Sequence, residues 1–221
     1  MSDVLFGDNY YWAMKLDVPD LVNFRRVLDL NNLISFAHKT MKKRKRTKLP
    51  KNAYERRYGK TGTKMRFWDM PLNEVTDESV HVLGKWIQRR YGLPIYYDGS
   101  YLSLLELNKG DTLPPHLDDD DVQSGSIIVQ LIGGFILRCL PASYGNGGED
   151  FFDGYLETLS TDPTEVLDYL EYHPGDVVLL NNSQYAHSGD LLEDYKLSML
   201  FSVDPKFNLQ QWSDKKYNNI S

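Results

Sequence analysis

The chain has 221 residues, of which 41% are hydrophobic and 13% aromatic, so it can build the core of one domain of good size. No apolar run approaches the roughly 20 residues of a membrane span, and the N-terminus lacks the basic start and apolar run of a signal peptide. The single cysteine, Cys139, excludes an intramolecular disulfide and fits a reducing compartment. We therefore expect a soluble intracellular protein, cytoplasmic or nuclear, without a membrane partner.

The net charge of −6 is unevenly distributed along the chain. Residues 1–110 carry 20 Lys and Arg against 12 Asp and Glu, whereas residues 111–221 carry 5 against 19. Such asymmetry is typical of a basic arm on an acidic catalytic body, although ordinary solvated surface also produces it.

Residues 1–94 are expected to form a helical and basic N-terminal segment that packs on the core. Residues 19–38 carry apolar side chains at helical spacing. A second helix is predicted after Thr76 or Asp77, either of which can cap it, and before Gly92, a typical residue after a helix end.

Residues 39–66, here called the basic segment, contain 13 Lys and Arg and one Glu. Because these charges repel one another, we expect the segment to be poorly packed unless an anionic surface neutralises it, and to lie near the mouth of the core. Its stretch KKRKRTK is suited to nucleic-acid phosphates or to a nuclear address.

From residue 95 to residue 221 the pattern changes to strands and turns, which predicts the catalytic core. The runs SYLSLLEL, SIIVQLIGGFILRCL, DVVLLNN and YKLSMLFSVD are apolar and β-branched, and turn residues separate them. The segment TEVLDYLEY is predicted as a short helix or an insertion. Helices followed by many strands predict a mainly β fold, a jelly roll with flanking helices, in one structural domain overall.

The stretch PPHLDDDD, residues 114–121, puts one histidine in front of four carboxylates. His116 and Asp118 are two residues apart, so an extended strand projects both side chains to one face. A second histidine, His187, follows the strand DVVLLNN. Two histidines and one carboxylate form the facial triad of non-haem Fe(II) oxygenases, which leaves coordination positions open. The sequence therefore predicts a catalytic metal site of His116, Asp118 and His187.

Cations are scarce in the acidic half, because residues 111–205 contain only Arg138 and Lys196. Lys196 and Ser198 alternate to one face of a strand, so an ammonium and a hydroxyl could hold one carboxylate, such as the remote carboxylate of 2-oxoglutarate. The plainer interpretation is a strand-edge lysine with a solvated tip. Arg138 stays open as a competing anchor.

The segments LLELNKGDTLPPHLDD, YHPGDVVLLNNSQYAHSG and YKLSMLFS resemble the ordered blocks of Fe(II)/2-oxoglutarate-dependent dioxygenases, most closely the prolyl-hydroxylase-like group. The resemblance covers about residues 96–205. It implies a double-stranded β-helix, a jelly-roll and cupin-like core. It also implies His116, Asp118 and His187 as iron ligands, with Lys196 and Ser198 binding the remote carboxylate of 2-oxoglutarate. In that family 2-oxoglutarate is decarboxylated to succinate while dioxygen oxidises a substrate, and ascorbate is a further candidate cofactor.

Two positions depart from that family's pattern. Related prolyl hydroxylases carry a Tyr nine residues before the first metal histidine, and this chain has Leu107 there. Tyr101 and Tyr185 are the candidate substitutes for it in co-substrate binding. The anchor is Lys196 where many relatives use Arg, which keeps the charge but loses bidentate geometry.

The functional hypothesis is an Fe(II)- and 2-oxoglutarate-dependent dioxygenase that hydroxylates, or oxidatively demethylates, a macromolecular substrate. The carboxylates beside the metal motif favour a cationic group of a protein, whereas the basic segment favours nucleic acid. A protein side chain is preferred on the family resemblance, with a nucleic-acid base as the alternative. A non-catalytic jelly-roll binding module and a jelly-roll metalloenzyme that needs no 2-oxoglutarate also stay open.

Overall fold

The computed structural model describes residues 4–6, 11–16, 29–47, 66–111, 113–116, 123–139, 168–181 and 187–217, with the backbone alone for residues 4–6, 11–12, 113–116, 139, 168, 216 and 217. Its strands are β1 (Val4–Phe6), β2 (Tyr11–Leu16), β3 (Arg66–Pro71), β4 (Tyr101–Asn108), β5 (Leu113–His116), β6 (Gly125–Ile132), β7 (Phe135–Cys139), β8 (Asp168–Tyr172), β9 (Val177–Leu180), β10 (His187–Leu191) and β11 (Tyr195–Val203). Its helices are α1 (Leu30–Lys43), α2 (Glu78–Tyr91) and α3 (Leu209–Tyr217), with a 3-10 turn at Leu72–Glu74. None of these helices combines the length and apolarity that crossing a membrane requires.

The described strands form two antiparallel sheets. The seven-stranded major sheet has the order β1-β2-β9-β6-β11-β4-β3, and the four-stranded minor sheet has the order β5-β10-β7-β8. Strands β4 to β11 therefore pass back and forth between the sheets as in a double-stranded β-helix, which confirms the jelly-roll fold expected from the sequence.

The two faces of the major sheet bury two separate hydrophobic clusters. The outer cluster packs the sheet against the helices and includes Leu33 of α1, Leu83 of α2 and Leu104 of β4. The inner cluster lies between the two sheets and includes Leu105 of β4 and Phe135 of β7. Because successive strand residues point to opposite faces, position along a strand decides which side chains line the barrel.

The second predicted helix is confirmed, and the structure shows which residues begin and end it. Asp77 caps α2, since its Oδ1 accepts a hydrogen bond from the backbone N–H of Ser79 at 3.0 Å. Gly92 ends the helix in the left-handed region, at φ 72°. The first helix begins at Leu30, with Asp29 as its N-cap, rather than near residue 19, and it continues to Lys43, into the basic segment. Residues 19–28 lie outside the described residues.

The described start of the basic segment has regular structure, although the Lys and Arg side chains of residues 39–46 are all exposed. Its first residues complete α1. Next, Arg44 forms a 2.8 Å ion pair with Glu74, and the Arg46 guanidinium lies 5.6 Å from the ring centroid of Trp68. Helix formation and these partners offset the repulsion between like charges. Residues 48–65 lie outside the described part of the chain.

Six strands were not predicted from the sequence, namely β1, β2, β3, β5, β8 and β10. Strands β1, β2 and β3 precede residue 95 and extend the two edges of the major sheet. Strand β8 occupies the end of TEVLDYLEY, so the helix or insertion expected there is wrong for Asp168–Tyr172. These strands pair with distant partners, β2 with β9 and β8 with β7, and local propensity carries little information about such pairing. The division of the chain at residue 95 stays a prediction.

The turn between β6 and β7 requires glycine at position 133. Gly133 has φ +71°, and a Cβ there would overlap the carbonyl oxygen of Tyr195. Gly133→Ala should therefore lower the free energy of unfolding by about 3 kcal/mol in urea denaturation. Gly110→Ala is the matched control, because its φ is +82° and no atom lies within 4 Å, so it should lose only about 1–2 kcal/mol through backbone strain. Equal losses in the two variants would contradict the steric explanation.

Candidate active site

The barrel interior has two distinguishable ends. The turn at residues 133–134 joins β6 to β7 and marks one end, here called the hairpin end. At the other end, here called the histidine end, Cys139 of β7 is the register partner of His187. Phe135 and Cys139 are the two ends of β7, so about 13 Å of strand separates them.

The two predicted histidine ligands are register partners on neighbouring strands, His116 of β5 and His187 of β10. Cα atoms of directly opposed residues in an antiparallel pair lie about 4.5–5.5 Å apart. β5 is the edge strand of the minor sheet, which accommodates Pro114 and Pro115 because an edge does not need their missing N–H groups. His187 is buried, with 3% of its surface exposed. The fold thus brings two distant parts of the sequence together at the histidine end.

Two predicted site residues, Asp118 and Tyr185, lie outside the described residues. Their roles as third metal ligand and as co-substrate residue therefore stay predictions. Among the side chains that the structure does describe, no three His, Cys, Asp or Glu residues form a group that could hold a metal ion. The described set contains only one of the three predicted ligands as a side chain, namely His187.

Lys196 lies inside the barrel at the hairpin end. It is opposite Leu107 of the inner cluster in the β4–β11 register, and only 1% of its surface is exposed. Its Nζ donates a hydrogen bond to the Tyr172 hydroxyl at 2.9 Å and lies 3.4 Å from the ring centroid of Phe135. The interpretation of Lys196 as a strand-edge residue with a solvated tip is therefore wrong.

The Lys196 ammonium has no carboxylate partner among the described residues. Burial lowers the pKa of Lys196 well below that of an exposed lysine, because the apolar surroundings disfavour the charged form. Burial likewise raises the pKa of the Tyr172 phenol, so this neighbour stays neutral and supplies no countercharge. A small anion that enters the barrel would supply the missing charge.

Ser198 shares the barrel interior with Lys196, as alternation predicts, but its hydroxyl is already engaged. It donates to Oε1 of the buried Gln130 at 2.6 Å. The Gln130 amide in turn donates to the carbonyl oxygens of Ile132 and Gly133 in the β6–β7 turn. Ser198 is thus connected to the β6–β7 turn through the hydrogen bonds of Gln130.

Arg138, the competing anchor, lies on the other face of the minor sheet. It alternates with Leu137 of the inner cluster and forms an ion pair with Asp190. The side chains of both partners are partly exposed to solvent. Of the two candidate anchors, Lys196 is the one inside the barrel.

Tyr101 does not contact Lys196. It begins β4, six positions before Leu107, and that separation is about 20 Å along a strand. Its hydroxyl donates to Oε1 of Gln123 at 2.8 Å near the histidine end. Tyr101 is therefore remote from the anchor, and its part in co-substrate binding stays a prediction.

Three residues around Lys196 and Ser198 were not singled out from the sequence: Tyr172, Phe135 and Gln130. Leu170 and Tyr172 are both buried and alternate with the exposed Tyr169 and the half-buried Glu171. This period of two within TEVLDYLEY is the signal that could have identified β8 and placed Tyr172 inside the barrel.

Neither a family model nor a curated protein matches the chain. Solved structures align with it at low identity. The non-haem α-ketoglutarate-dependent epimerase SnoN from nogalamycin biosynthesis is 14% identical over 77% of this chain and 71% of its own, at a TM-score of 0.47. The Escherichia coli ribosomal oxygenase YcfD is 19% identical over 75% of this chain and 37% of its own, at 0.43. A cupin superfamily protein from Desulfitobacterium hafniense is 11% identical over 49% of this chain and 72% of its own, at 0.31.

Replacing Lys196 by an apolar residue of similar length should stabilise the ligand-free protein. The native state binds the Lys196 proton less readily than the unfolded chain, so the free energy of unfolding rises with pH between the lowered pKa and that of an unfolded lysine. Lys196→Met should remove this pH dependence and raise stability near neutral pH by about 1–3 kcal/mol. Urea denaturation across this pH range measures both effects. The exposed Lys206→Met is the control, with an expected change within about 0.5 kcal/mol. A clear loss of stability in Lys196→Met would show that its ammonium is already neutralised.

Proposed function

We propose that this protein is an Fe(II)- and 2-oxoglutarate-dependent dioxygenase that hydroxylates, or oxidatively demethylates, a macromolecular substrate. The observation that carries the proposal is the buried Lys196 ammonium, which has no carboxylate partner among the described residues. It lies in the same barrel whose other end carries the register pair of His116 and His187.

The residues present fit both groups that this function requires. Two imidazoles and the carboxylate of Asp118 are a donor set that suits Fe(II) and leaves positions open for a co-substrate and dioxygen. A buried cation beside apolar walls fits a small anion that carries a carboxylate at one end. The chemistry of jelly-roll metalloenzymes that need no 2-oxoglutarate does not require a buried cation inside the barrel. The buried Lys196 therefore favours the 2-oxoglutarate-dependent class.

The roles of this chain's residues follow from their places in the barrel. Lys196 holds the remote carboxylate of 2-oxoglutarate at the hairpin end. The inner cluster, which includes Leu105 and Leu107, packs against the methylene groups of 2-oxoglutarate and excludes water. His116, Asp118 and His187 hold the metal at the histidine end. Iron and 2-oxoglutarate, when bound, supply the activation of dioxygen for substrate oxidation.

The preferred substrate is a protein side chain, in the cytoplasm or the nucleus. Nucleic acid is the second candidate, and one surface favours it. The end of α1 and the residues after it expose Lys39, Lys42, Lys43 and Lys45 to solvent. A run of exposed lysines is the ordinary electrostatic footprint for phosphate groups.

The function is tested by metal binding and turnover of matched histidine variants. His187→Ala and His116→Ala should each weaken Mn(II) binding more than roughly a hundredfold, since even changes outside the ligand set cost about 10–100-fold in metal affinity. Both should also abolish succinate release in assays with Fe(II), 2-oxoglutarate, oxygen and ascorbate. His173→Ala is the control, because His173 is an exposed residue of the turn before β9.

Substrate panels separate the remaining alternatives. Succinate release should rise with proteins that carry basic side chains, whereas a rise with nucleic acid alone would select the base oxygenase. Binding of 2-oxoglutarate without turnover of any panel member would favour a non-catalytic module. Unchanged Mn(II) affinity in both histidine variants would contradict the metal site.

The affinity for 2-oxoglutarate should fall as pH rises. Burial lowers the pKa of Lys196, and a bound carboxylate raises it again, so binding takes up a proton at pH values between these two limits. Calorimetry of the Mn(II)-loaded protein in buffers of different ionisation enthalpy measures this uptake directly. Lys196→Arg is the control, because a guanidinium stays charged and its binding should show no such uptake. Equal proton uptake in both proteins would assign the effect to another group.

A further inference from the structure

The Tyr172 hydroxyl accepts a hydrogen bond from the Lys196 ammonium at 2.9 Å. Tyr172 ends β8 in the minor sheet, whereas Lys196 belongs to β11 in the major sheet. The two side chains therefore meet across the barrel interior. Both are fully buried, with 0% and 1% of their surfaces exposed.

The protonation state of Lys196 determines what the Tyr172 hydroxyl can do. A charged ammonium has three N–H donors and no lone pair, so towards Lys196 the phenol oxygen can only accept. The phenol proton then has no acceptor among the described residues. Buried O–H donors normally find a partner, so this proton requires an acceptor inside the barrel.

The neighbouring hydroxyl of Ser198 does not have the same freedom. Its proton is held by Oε1 of Gln130, and Gln130 is fixed in turn by the β6–β7 turn. An anion beside Lys196 would have to break that contact to receive a hydrogen bond from Ser198. Tyr172 can donate without losing any contact that it makes now.

The position of Tyr172 is fixed by packing rather than by the ligand. Its ring lies 5.6 Å from that of Phe135, centroid to centroid, and Phe135 also carries the Lys196 ammonium on its face at 3.4 Å. Gly189 of β10 leaves the space for Phe135, because a Cβ there would overlap this ring. The hydroxyl is thus held in place before any ligand arrives, which limits the entropy lost on binding.

We infer that Tyr172 is a second binding residue for the remote carboxylate of the co-substrate. Its hydroxyl donates a hydrogen bond to the carboxylate, while its oxygen accepts a hydrogen bond from Lys196. The inference rests on the proposed function and deepens it. Tyr172, rather than Ser198, completes the carboxylate site with Lys196. The site is therefore built from both sheets. Its selectivity for a dicarboxylate depends on β8, which carries Tyr172, as well as on β11, which carries Lys196.

The test compares two ligands on the Mn(II)-loaded full chain by calorimetry. 2-Oxoglutarate carries the remote carboxylate, and 2-oxovalerate has a methyl group in its place. Tyr172→Phe removes the hydroxyl and keeps the ring, so it should weaken 2-oxoglutarate binding roughly ten- to a hundredfold and leave 2-oxovalerate binding unchanged. Tyr169→Phe is the matched control, the same change on the same strand at a side chain that is 48% exposed, and should alter neither affinity.

The outcomes separate the inference from the function on which it rests. A parallel loss for both ligands in Tyr172→Phe would assign the residue a structural role and overturn the inference. So would unchanged affinity for 2-oxoglutarate, while the proposed function would survive as long as the wild-type protein binds 2-oxoglutarate through Lys196. Absence of 2-oxoglutarate binding to the wild-type protein would overturn both.

Discussion

A positive charge buried inside an apolar barrel is the constraint on which the rest of the site depends. An ammonium in such surroundings is unfavourable unless hydrogen bonds or a counter-ion compensate it. Among the described residues the compensation of Lys196 is partial and consists of a phenol oxygen at 2.9 Å and an aromatic face at 3.4 Å. Perturbed ionisable groups of this kind concentrate at functional sites, because stability alone would favour an apolar residue. The arrangement of β8, β7 and the β6–β7 turn is understandable as the support of that one side chain.

The protein can carry this unfavourable group because its stability comes largely from elsewhere. The outer face of the major sheet buries a cluster with α1 and α2 that contains only hydrophobic side chains. The inner face is divided differently, with hydrophobic residues such as Leu105 and Ile128 in the middle and the polar group of Lys196, Ser198 and Gln130 at the hairpin end. One sheet thus has a stabilising face and a functional face, and the alternation of strand side chains keeps them separate.

The histidine end depends on strand register rather than on local sequence. His116 lies on an edge strand, and His187 lies at the start of the strand that pairs with it. A shift of one residue in this pairing would move every side chain of β5 to the opposite face of the sheet. The β10–β7 pairing fixes the position of His187, since five consecutive residues of the two strands are register partners. The geometry of the histidine end therefore depends on the pairing of β5, β10 and β7 in the minor sheet.

The features that local chemistry controls were predictable from the sequence. The caps of α2, the strand character of β4, β6, β9 and β11, and the jelly-roll class follow from side-chain period and turn residues. Lys196 was also identifiable as one of two cations in residues 111–205, because composition is visible without a fold. The fold was needed to show that Lys196, and not Arg138, lies inside the barrel, since the strands that carry them have apolar residues on both faces and do not reveal which face is inside. It alone placed Tyr172 beside Lys196 and His116 opposite His187, because both juxtapositions arise from hydrogen bonding between strands far apart in sequence, and no local preference encodes that pairing.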